Sequence, residues 1–234
     1  MKTIGLLGGM SWQSTVHYYQ HINSEVNSTL GGLRSAKIVL NSVDFQYIAA
    51  LQQEENWHDL GLVLALAAKS TEKAGADFLV ICTNTMHKVI DEISQSISIP
   101  ILHIADATAE RLLADNVKRV GLLGTAFTME QDFYRRRISE KFGIDVVTPN
   151  EKDRAFVHRV IYQELCQGII KEDSRERYLR IIGKLAEDGC DGVVLGCTEI
   201  SLLVKQGQTD VTLYDTTEIH AKAAVKMALR SANL

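Results

Sequence analysis

The sequence has no lysine- or arginine-rich stripe and no C-x-x-C pair of cysteines. It also has no apolar run that approaches the roughly 20 residues of a membrane helix. Its net charge is −4. Nucleic acid is therefore not an expected partner, because binding it needs clustered positive charge. No membrane span is expected, because the sequence has no apolar run of sufficient length.

Cysteines are few and scattered. The four are Cys82, Cys166, Cys190 and Cys197, and no histidine is paired with any of them at zinc-finger spacing. A zinc site is therefore not expected, and the thiols are expected to be free. The apolar stretch before Gly8–Gly9 is too short for the core of a signal peptide, so we expect a cytoplasmic protein.

Short apolar runs alternate with helical patterns along all 234 residues. This alternation predicts parallel sheets with helical crossovers. Apolar residues make up 46% of the chain, enough for a substantial core in one or two domains. The predicted strands lie at 3–7, 37–43, 78–81, 101–105, 119–123, 144–147, 192–195 and 212–215. The predicted helices include 14–30, 57–74, 86–96, 107–113, 128–142 and 217–230, and two amphipathic helices with apolar faces at 157–169 and 178–185.

The second half of the chain repeats the first. The matched pairs are Gly5 and Gly121, 116 positions apart, Cys82 and Cys197, 115 apart, and Asp106 and Asp215, 109 apart. We expect an α/β fold with two pseudo-symmetric open parallel sheets of about four strands each, helices on both faces, and the active site in the cleft between them. The expected domains are 1–107 with 217–234, and 108–216. The two aspartates end similar predicted strands and are interpreted as helix caps or charge partners.

Two predicted strands end in the same pair of polar residues. Phe78–Ile81 leads into Cys82 and Thr83, and Gly192–Leu195 leads through Gly196 into Cys197 and Thr198. Open α/β folds bind ligands at the carboxyl edge of the sheet, where such residues lie. A thiol on each side of a substrate suits inversion of a carbon centre, since one removes an α-proton and the other returns one. A thiol pKa of ~8.5 is close enough to neutral for this task.

Glycine-rich turns follow the first strand of each half. Gly8–Ser11 and Gly124–Thr128 each precede a helix, so their backbone N–H groups are candidates for binding an anion. The alternative is a tight turn without a ligand. Neither turn has the full G-x-G-x-x-G pattern, so no dinucleotide is expected, and amides and hydroxyls can hold an enolate without a cofactor. The candidate binding residues in these turns are Met10, Ser11, Thr125 and Thr128.

Three motifs together resemble a known family. They are Leu-Gly-Gly-Met-Ser-Trp at 7–12, Cys-Thr-Asn-Thr-Met-His at 82–87 and Gly-Cys-Thr-Glu-Ile at 196–200. The chain resembles the aspartate/glutamate racemase family over essentially its whole length, particularly the bacterial L-aspartate/glutamate-specific and broad-specificity amino-acid racemases. The resemblance implies a cofactor-independent two-base racemase of two α/β domains, usually dimeric, which acts on an amino acid such as aspartate or glutamate. It also implies that Gln52 contacts the substrate.

The first site departs from the family pattern. Members with two catalytic cysteines commonly have Cys-Asn-Thr there, whereas this chain has Cys82, Thr83, Asn84 and Thr85 in succession. Neighbouring strand residues point to opposite faces, so either Thr83 or Cys82 faces the site. We favour Thr83, because Asn84 and Thr85 are expected to dock the substrate, and Cys82 is then a small buried residue. A hydroxyl is too weak an acid to serve as a base but can donate a proton. With Cys197 as the base, the enzyme is expected either to be fast in one direction only or to act on few substrates.

Other polar residues are candidates for supporting roles. Glu199 is expected to orient Cys197 or to bind the substrate amine, beside Thr198; otherwise it is a carboxylate at a helix start. His87 is interpreted as a supporting or surface residue. Arg154 and His158 are candidates to bind a side-chain carboxylate, although an arginine at a helix start is usually a surface residue.

Two other functions fit the same pattern. One is a related isomerase or decarboxylase of small dicarboxylates, of the maleate or arylmalonate kind, which also uses strand-end cysteines. The other is a non-catalytic amino-acid-binding protein with two similar α/β lobes. The short N-terminal apolar stretch and the reactive thiol argue against the second.

Overall fold

The chain folds into two compact units, seen in a computed structural model that describes residues 1–230. The first unit comprises Met1–Ile104 and the segment from His220, and the second comprises Ala105–Ile219. Each contains one four-stranded parallel sheet flanked by helices. The predicted fold class, α/β with two parallel sheets, is confirmed.

In the first unit the strand order is β2-β1-β3-β4. Its strands are β1 (Ile4–Gly8), β2 (Ile38–Ser42), β3 (Phe78–Ile81) and β4 (Ile101–Leu102). Its helices are α1 (Trp12–Leu30), α2 (Phe45–Gln53), α3 (Trp57–Lys73), α4 (Ile90–Ser96) and, after the second unit, most of α11 (Thr216–Leu229). A 3-10 helix, Thr85–Val89, precedes α4.

Alternation along β3 divides the core of the first unit into two layers. Phe78, Val80 and Cys82 pack with α1 and α11 on one face of the sheet. Leu79 and Ile81 pack with α2, α3 and α4 on the other. All five side chains are fully buried, as the continuous apolar run predicts for a central parallel strand.

In the second unit the strand order is β6-β5-β7-β8. Its strands are β5 (Arg119–Gly124), β6 (Asp145–Val147), β7 (Gly192–Gly196) and β8 (Leu213–Asp215). Its helices are α5 (Ile104–Ala114), which begins in the first unit, α6 (Ala126–Glu130), α7 (Asp132–Phe142), α8 (Glu151–Gln163), α9 (Glu172–Glu187) and α10 (Ile200–Leu203). The helix predicted at 128–142 is therefore two helices, which meet at the extended residue Gln131.

The amphipathic patterns of α8 and α9 form the main core of the second unit. Val157, Ile161, Tyr178 and Ile182 are all buried in one cluster with Leu195 of β7. The predicted face of α9 is confirmed. For α8 the prediction ran too far, because the helix ends at Gln163 and a residue predicted on its face, Ile169, is 41% exposed beyond it.

The position predicted for Asp106 was wrong, whereas its role as a charge partner, one of its two interpretations, is confirmed. This residue lies in the first turn of α5, not at the end of β4. Its carboxylate binds Arg137 at 2.6 Å and Lys141 at 2.7 Å, both from α7, which favours an acidic residue in that first turn. Asp215 does end β8, where its Oδ1 accepts from the amide of Thr217. The two aspartates are thus not counterparts.

A buried histidine fixes the terminal helix to the first sheet. The Nε2–H group of His220 donates to the carbonyl oxygen of Leu102 at 2.9 Å, and the Tyr18 hydroxyl donates to its Nδ1 at 2.9 Å. Both ring nitrogens are thereby used by the neutral ring. Burial lowers the pKa of His220 to about 4.

Among residues 1–230, no helix combines the length and apolar character needed to cross a membrane.

We predict that His220 makes the protein sensitive to mild acid. Between pH 6.5 and pH 4 the unfolded chain binds a proton at this residue that the folded protein excludes, so stability falls as the pH drops. From pH 7 to pH 5 this contributes a loss of about 2 kcal/mol in the free energy of unfolding. Urea unfolding at both pH values measures it, and His220→Gln should remove that part of the loss.

Tyr18→Phe is the matched control. It removes one hydrogen bond to the ring but leaves the ring buried and able to titrate, so stability falls while the pH dependence stays. An equal loss from pH 7 to pH 5 in wild type and His220→Gln would contradict the prediction.

Candidate active site

The candidate residues of the first unit lie in the turn that follows β3. The Cys82 amide donates to the Leu7 carbonyl at 2.9 Å and completes the pairing of β3 with β1. The chain then turns, since the Thr83 amide donates to the Ile81 carbonyl at 2.9 Å. The 3-10 helix begins two residues later, where the Asn84 carbonyl accepts from the His87 amide at 3.2 Å.

Strand register identifies the counterpart of Cys197 in the first unit. β1 pairs Leu7 with Ile81, and β5 pairs Leu123 with Leu195. Counting on from these matched pairs, Cys82 corresponds to Gly196, and Thr83 corresponds to Cys197. The sequence match of Cys82 with Cys197 was therefore displaced by one residue.

Cys82 lies in the apolar core. Its side chain has no exposed surface and belongs to the layer between the first sheet and helices α1 and α11. Its thiol lies 3.8 Å from the Val80 carbonyl. Burial raises the pKa of the Cys82 thiol far above its usual range. A thiol in this environment behaves as a small apolar side chain.

The candidate residues of the second unit follow β7. The Cys197 thiol donates to the Glu199 carboxylate at 3.0 Å, and the Thr198 hydroxyl donates to the same oxygen, Oε2, at 2.8 Å. All three residues are buried. Burial and the negative charge of Glu199 raise the pKa of Cys197 well above its ordinary value. The thiol is therefore protonated at neutral pH and is already hydrogen-bonded to a proton acceptor.

Two glycines let the ends of β5 and β7 approach closely. A Cβ atom on Gly124 would lie 2.9 Å from the Gly196 carbonyl oxygen, and one on Gly196 would lie 2.9 Å from that of Leu123. Backbone atoms cannot move aside as a flexible side chain can, so these positions require glycine. This packing explains why glycine precedes Cys197.

The first glycine-rich turn is held by internal hydrogen bonds. The Gly9 amide donates to the Thr15 hydroxyl at 2.8 Å. The Ser11 side chain caps α1 by accepting from the Ser14 amide at 3.4 Å. Met10 is buried with the α2 and α3 side of the core. The protein itself therefore uses the Gly9 amide that the anion-site expectation assigned to a ligand.

The second glycine-rich turn is held in a similar way. Thr125 caps α6, its hydroxyl accepting from the Thr128 amide at 3.3 Å and lying 3.2 Å from the Thr128 hydroxyl. The Ala126 amide donates to Nδ1 of His158 at 3.1 Å, while Arg154 binds Glu130 at 2.9 Å. His158 and Arg154, predicted as candidates for a substrate carboxylate, thus already have protein partners.

The remaining candidates are buried polar residues near the first sheet. Gln52 lies in the last turn of α2, and Asn84 and Thr85 open the 3-10 helix. Each is at most 5% exposed. Within residues 1–230, no group of three or more His, Cys, Asp and Glu side chains is arranged to hold a metal ion.

The chain is similar to a known protein family over most of its length. A model of the Asp/Glu/Hydantoin racemase family matches residues 7–224. The chain belongs to this family. The ends of β3 and β7 both lie within the matched range. The family expected from the sequence, and the enzyme class that goes with it, are confirmed.

Individual relatives match over nearly the whole chain. The structure of a candidate Asp/Glu racemase from Yersinia pestis is 53% identical and superposes with a TM-score of 0.91 over 98% of this chain and 100% of its own. An aspartate racemase homologue from Pyrococcus horikoshii is 35% identical, with a TM-score of 0.82 over 97% and 99%. A broad specificity amino-acid racemase from Bacillus subtilis is 21% identical over 97% and 98%.

One residue of this racemase-family site was underrated in the sequence. His87, interpreted as supporting or surface, is only 2% exposed and its Nδ1 lies 2.9 Å from the Thr83 carbonyl oxygen. The spacing of four residues from Thr83 to His87 was the available signal, because residues four apart meet on one side of a helical turn.

We predict that Glu199 suppresses the reactivity of Cys197. Glu199→Gln removes the negative charge that stabilises the thiol, so the pKa of Cys197 falls and its alkylation by iodoacetamide at pH 8 speeds up. The gain is about threefold for each pKa unit, because the larger thiolate fraction is partly offset by lower nucleophilicity. Peptide mass spectrometry follows Cys197 separately from the other cysteines.

Glu164→Gln is the control for this experiment. Glu164 is another buried carboxylate of the second unit, and its partners are Ser174 and Lys171. Its replacement should leave the alkylation of Cys197 unchanged. An unchanged or slower rate in Glu199→Gln would show that the carboxylate does not hold the thiol in its protonated form.

Proposed function

We propose that the chain is a cofactor-independent amino-acid racemase in which Cys197 and Thr83 exchange protons with opposite faces of the substrate α-carbon. The observation that carries this proposal is the hydrogen bond from the Cys197 thiol to the Glu199 carboxylate at the end of β7. Thr83 occupies the corresponding register position at the end of β3.

Cys197 and Glu199 work together as the base in this proposal. A protonated thiol cannot accept a proton without losing one. As the sulfur takes the α-proton, the thiol proton passes to Oε2 of Glu199, 3.0 Å away. The products are a substrate carbanion, a thiol and a carboxylic acid, so charge and protons balance. In the opposite direction the same thiol donates its proton to the carbanion and regains one from Glu199.

Thr83 acts in the proposal as a proton donor. A carbanion is a much stronger base than an alkoxide, so donation from the hydroxyl is favourable, and solvent then replaces the proton. Removal of an α-proton by a neutral hydroxyl is not favourable. Because two enantiomers of equal free energy require equal kcat/KM in the two directions, the preference for conversion that begins with Cys197 and ends with Thr83 is proposed to be a higher kcat, matched by a higher KM, in that direction.

Aspartate or glutamate is the proposed substrate. The family name and the aspartate racemase homologue from Pyrococcus horikoshii support an acidic amino acid, and the broad-specificity relative from Bacillus subtilis supports a wider range. Hydroxyl and amide groups are proposed to hold the substrate carboxylate and the developing enolate, which makes a cofactor unnecessary. The proposed binding residues are Met10, Ser11, Gln52, Asn84, Thr85, Thr125, Thr128, Thr198 and Glu199.

The proposal also includes the setting of the enzyme. All four cysteines are free, which suits a reducing compartment such as the cytoplasm. A homodimer is proposed from the resemblance to the family. No nucleic acid or membrane takes part in the proposed reaction.

Isotope exchange tests the reaction. Incubation with L- and D-aspartate, L- and D-glutamate and a neutral panel in deuterated water should replace the α-proton of at least one substrate and change its optical rotation. At saturating substrate, the initial rates from the two enantiomers should differ. Binding without exchange would support an amino-acid-binding protein instead, and loss of carbon dioxide from a malonate would support a decarboxylase. Either result, with no exchange in any amino acid, would sink the racemase proposal.

Substitutions at the two strand ends test the assignment of the residues. Cys197→Ala should abolish α-proton exchange. Thr83→Val, which keeps the shape but removes the hydroxyl, should slow inversion roughly 10²- to 10⁴-fold, the usual contribution of a proton donor. Thr83→Ser should retain most of the activity. Cys82→Ala is the control, because its thiol is part of the core, and should leave the rates nearly unchanged in the folded protein. A larger loss in Cys82→Ala than in Thr83→Val would reverse the assignment.

A further inference from the structure

We infer that His87 is a positioning residue for Thr83, and that it holds the catalytic turn through the backbone carbonyl of that residue. The inference rests on the proposed function, because it assigns a role to Thr83 in proton transfer. It gives a role to the last residue of the motif at 82–87, and it specifies which of the two ring nitrogens performs that role.

Two hydrogen bonds fix the tautomer of His87. A carbonyl oxygen can only accept, so Nδ1, 2.9 Å from the Thr83 oxygen, carries the proton. The Ile104 amide donates to Nε2 at 3.2 Å, so Nε2 carries none. The ring is therefore neutral, with one donor and one acceptor, and both are used.

The ring lies in a cluster of buried histidines. Its centroid is 4.4 Å from that of His103 and 6.1 Å from that of His220. Burial, and then the two neighbouring rings, lower the pKa of His87 well below its ordinary value. The cluster thus keeps His87 neutral, and Nε2 keeps its lone pair for the Ile104 amide.

These contacts hold the backbone of Thr83 from both sides. Its amide donates to Ile81 within the turn, and its carbonyl accepts from His87. Through Nε2 the same ring holds Ile104, where α5 begins. A turn of three residues between a strand and a 3-10 helix is thereby fixed to Ile104, the first residue of α5, and we infer that this sets the direction of the Thr83 side chain.

In the second unit, the carbonyl of the corresponding residue, Cys197, is held by a different kind of group. The carbonyl of Cys197 accepts from the Ile200 amide at 3.1 Å, so the backbone at the start of α10 holds it. The Thr83 carbonyl is held by a side chain. A substitution of His87 can therefore loosen the turn at Thr83 without affecting the turn at Cys197, which makes the role of His87 testable.

Two substitutions separate the two bonds of the ring. In His87→Asn the side-chain amide lies near the position of Nδ1 and can still donate to Thr83, but it cannot reach Ile104. In His87→Gln the carbonyl of the side chain lies near the position of Nε2 and can still accept from Ile104, but the donor to Thr83 is lost. Both remove an aromatic ring from the same cavity, so they are matched in burial.

The measurement is the ratio of α-proton exchange to inversion in deuterated water. Cys197 and Glu199 can exchange the α-proton with retention of configuration without Thr83, whereas inversion needs both half-sites. We expect His87→Gln to raise this ratio roughly ten- to a hundredfold, the scale of loss that follows a misplaced catalytic group. His87→Asn should stay close to wild type. His220→Asn, in the same cluster but without a bond to the turn, should lower stability without changing the ratio.

Several results would overturn the inference. One is a proportional loss of exchange and inversion in both His87 variants, because that is the effect of lower stability alone. Another is a larger ratio in His87→Asn than in His87→Gln. If the variants do not fold, as judged by thermal melting, ¹H–¹⁵N spectra of the wild-type protein decide: a proton on Nε2 of His87 overturns the inference, and one on Nδ1 supports it. A wild-type protein that neither exchanges nor racemises any amino acid would instead refute the proposed function.

Discussion

The pairing register of β3 on β1, and of β7 on β5, is the constraint on which the candidate site depends. Parallel pairing fixes where each strand runs out of partners, and a shift of one residue would turn every side chain to the opposite face. In the first unit the register buries Cys82 in the core and puts Thr83 in the turn. In the second it ends β7 at Gly196, so Cys197 is the first residue beyond the strand.

Equivalent positions in the two units have acquired different chemistry. A hydroxyl lies where the other unit has a thiol, and the two turns are stabilised by different groups. Glu199 sits beside Cys197 as a proton acceptor, whereas the side chain bonded to the Thr83 carbonyl is a neutral histidine that serves as a donor. The fold repeats, but the acid–base groups do not, and the proposed reaction accordingly gives the two groups unequal roles.

The sequence predicted the fold well because apolar periodicity and glycine turns are local signals. Strand β3 was predicted with its observed bounds, Phe78–Ile81, and the sheets follow from alternation of strands and helices. Errors arose where contacts with residues distant in the sequence determine the local structure. Asp106 was misplaced because its partners, Arg137 and Lys141, lie on another helix. The counterpart of Cys197 was displaced by one residue because register depends on the neighbouring strand.

In the candidate site, too, contacts between residues close in the sequence could be predicted, whereas contacts between distant residues could not. Glu199 was recognised as a partner for Cys197 because only one residue separates them. His87 was underrated because its inferred role depends on a hydrogen bond with Ile104. Its ring also packs against those of His103 and His220, which are distant in the sequence. No periodic pattern encodes such a cluster, and a histidine in a helical turn has the same sequence signature whether it is exposed or buried.

The raised pKa of Cys197 changes how the thiol should be viewed. A cysteine base is usually described as a thiolate made available by nearby positive charge. Here the neighbouring charge is negative, so the thiol keeps its proton until an acceptor takes it. The hydrogen bond to Glu199 supplies that acceptor at 3.0 Å. A thiol held in this way is a poor nucleophile toward solvent oxidants, yet it can pass one proton as it receives another. The carboxylate that keeps Cys197 protonated is, in the proposed reaction, also the group that takes up the thiol proton.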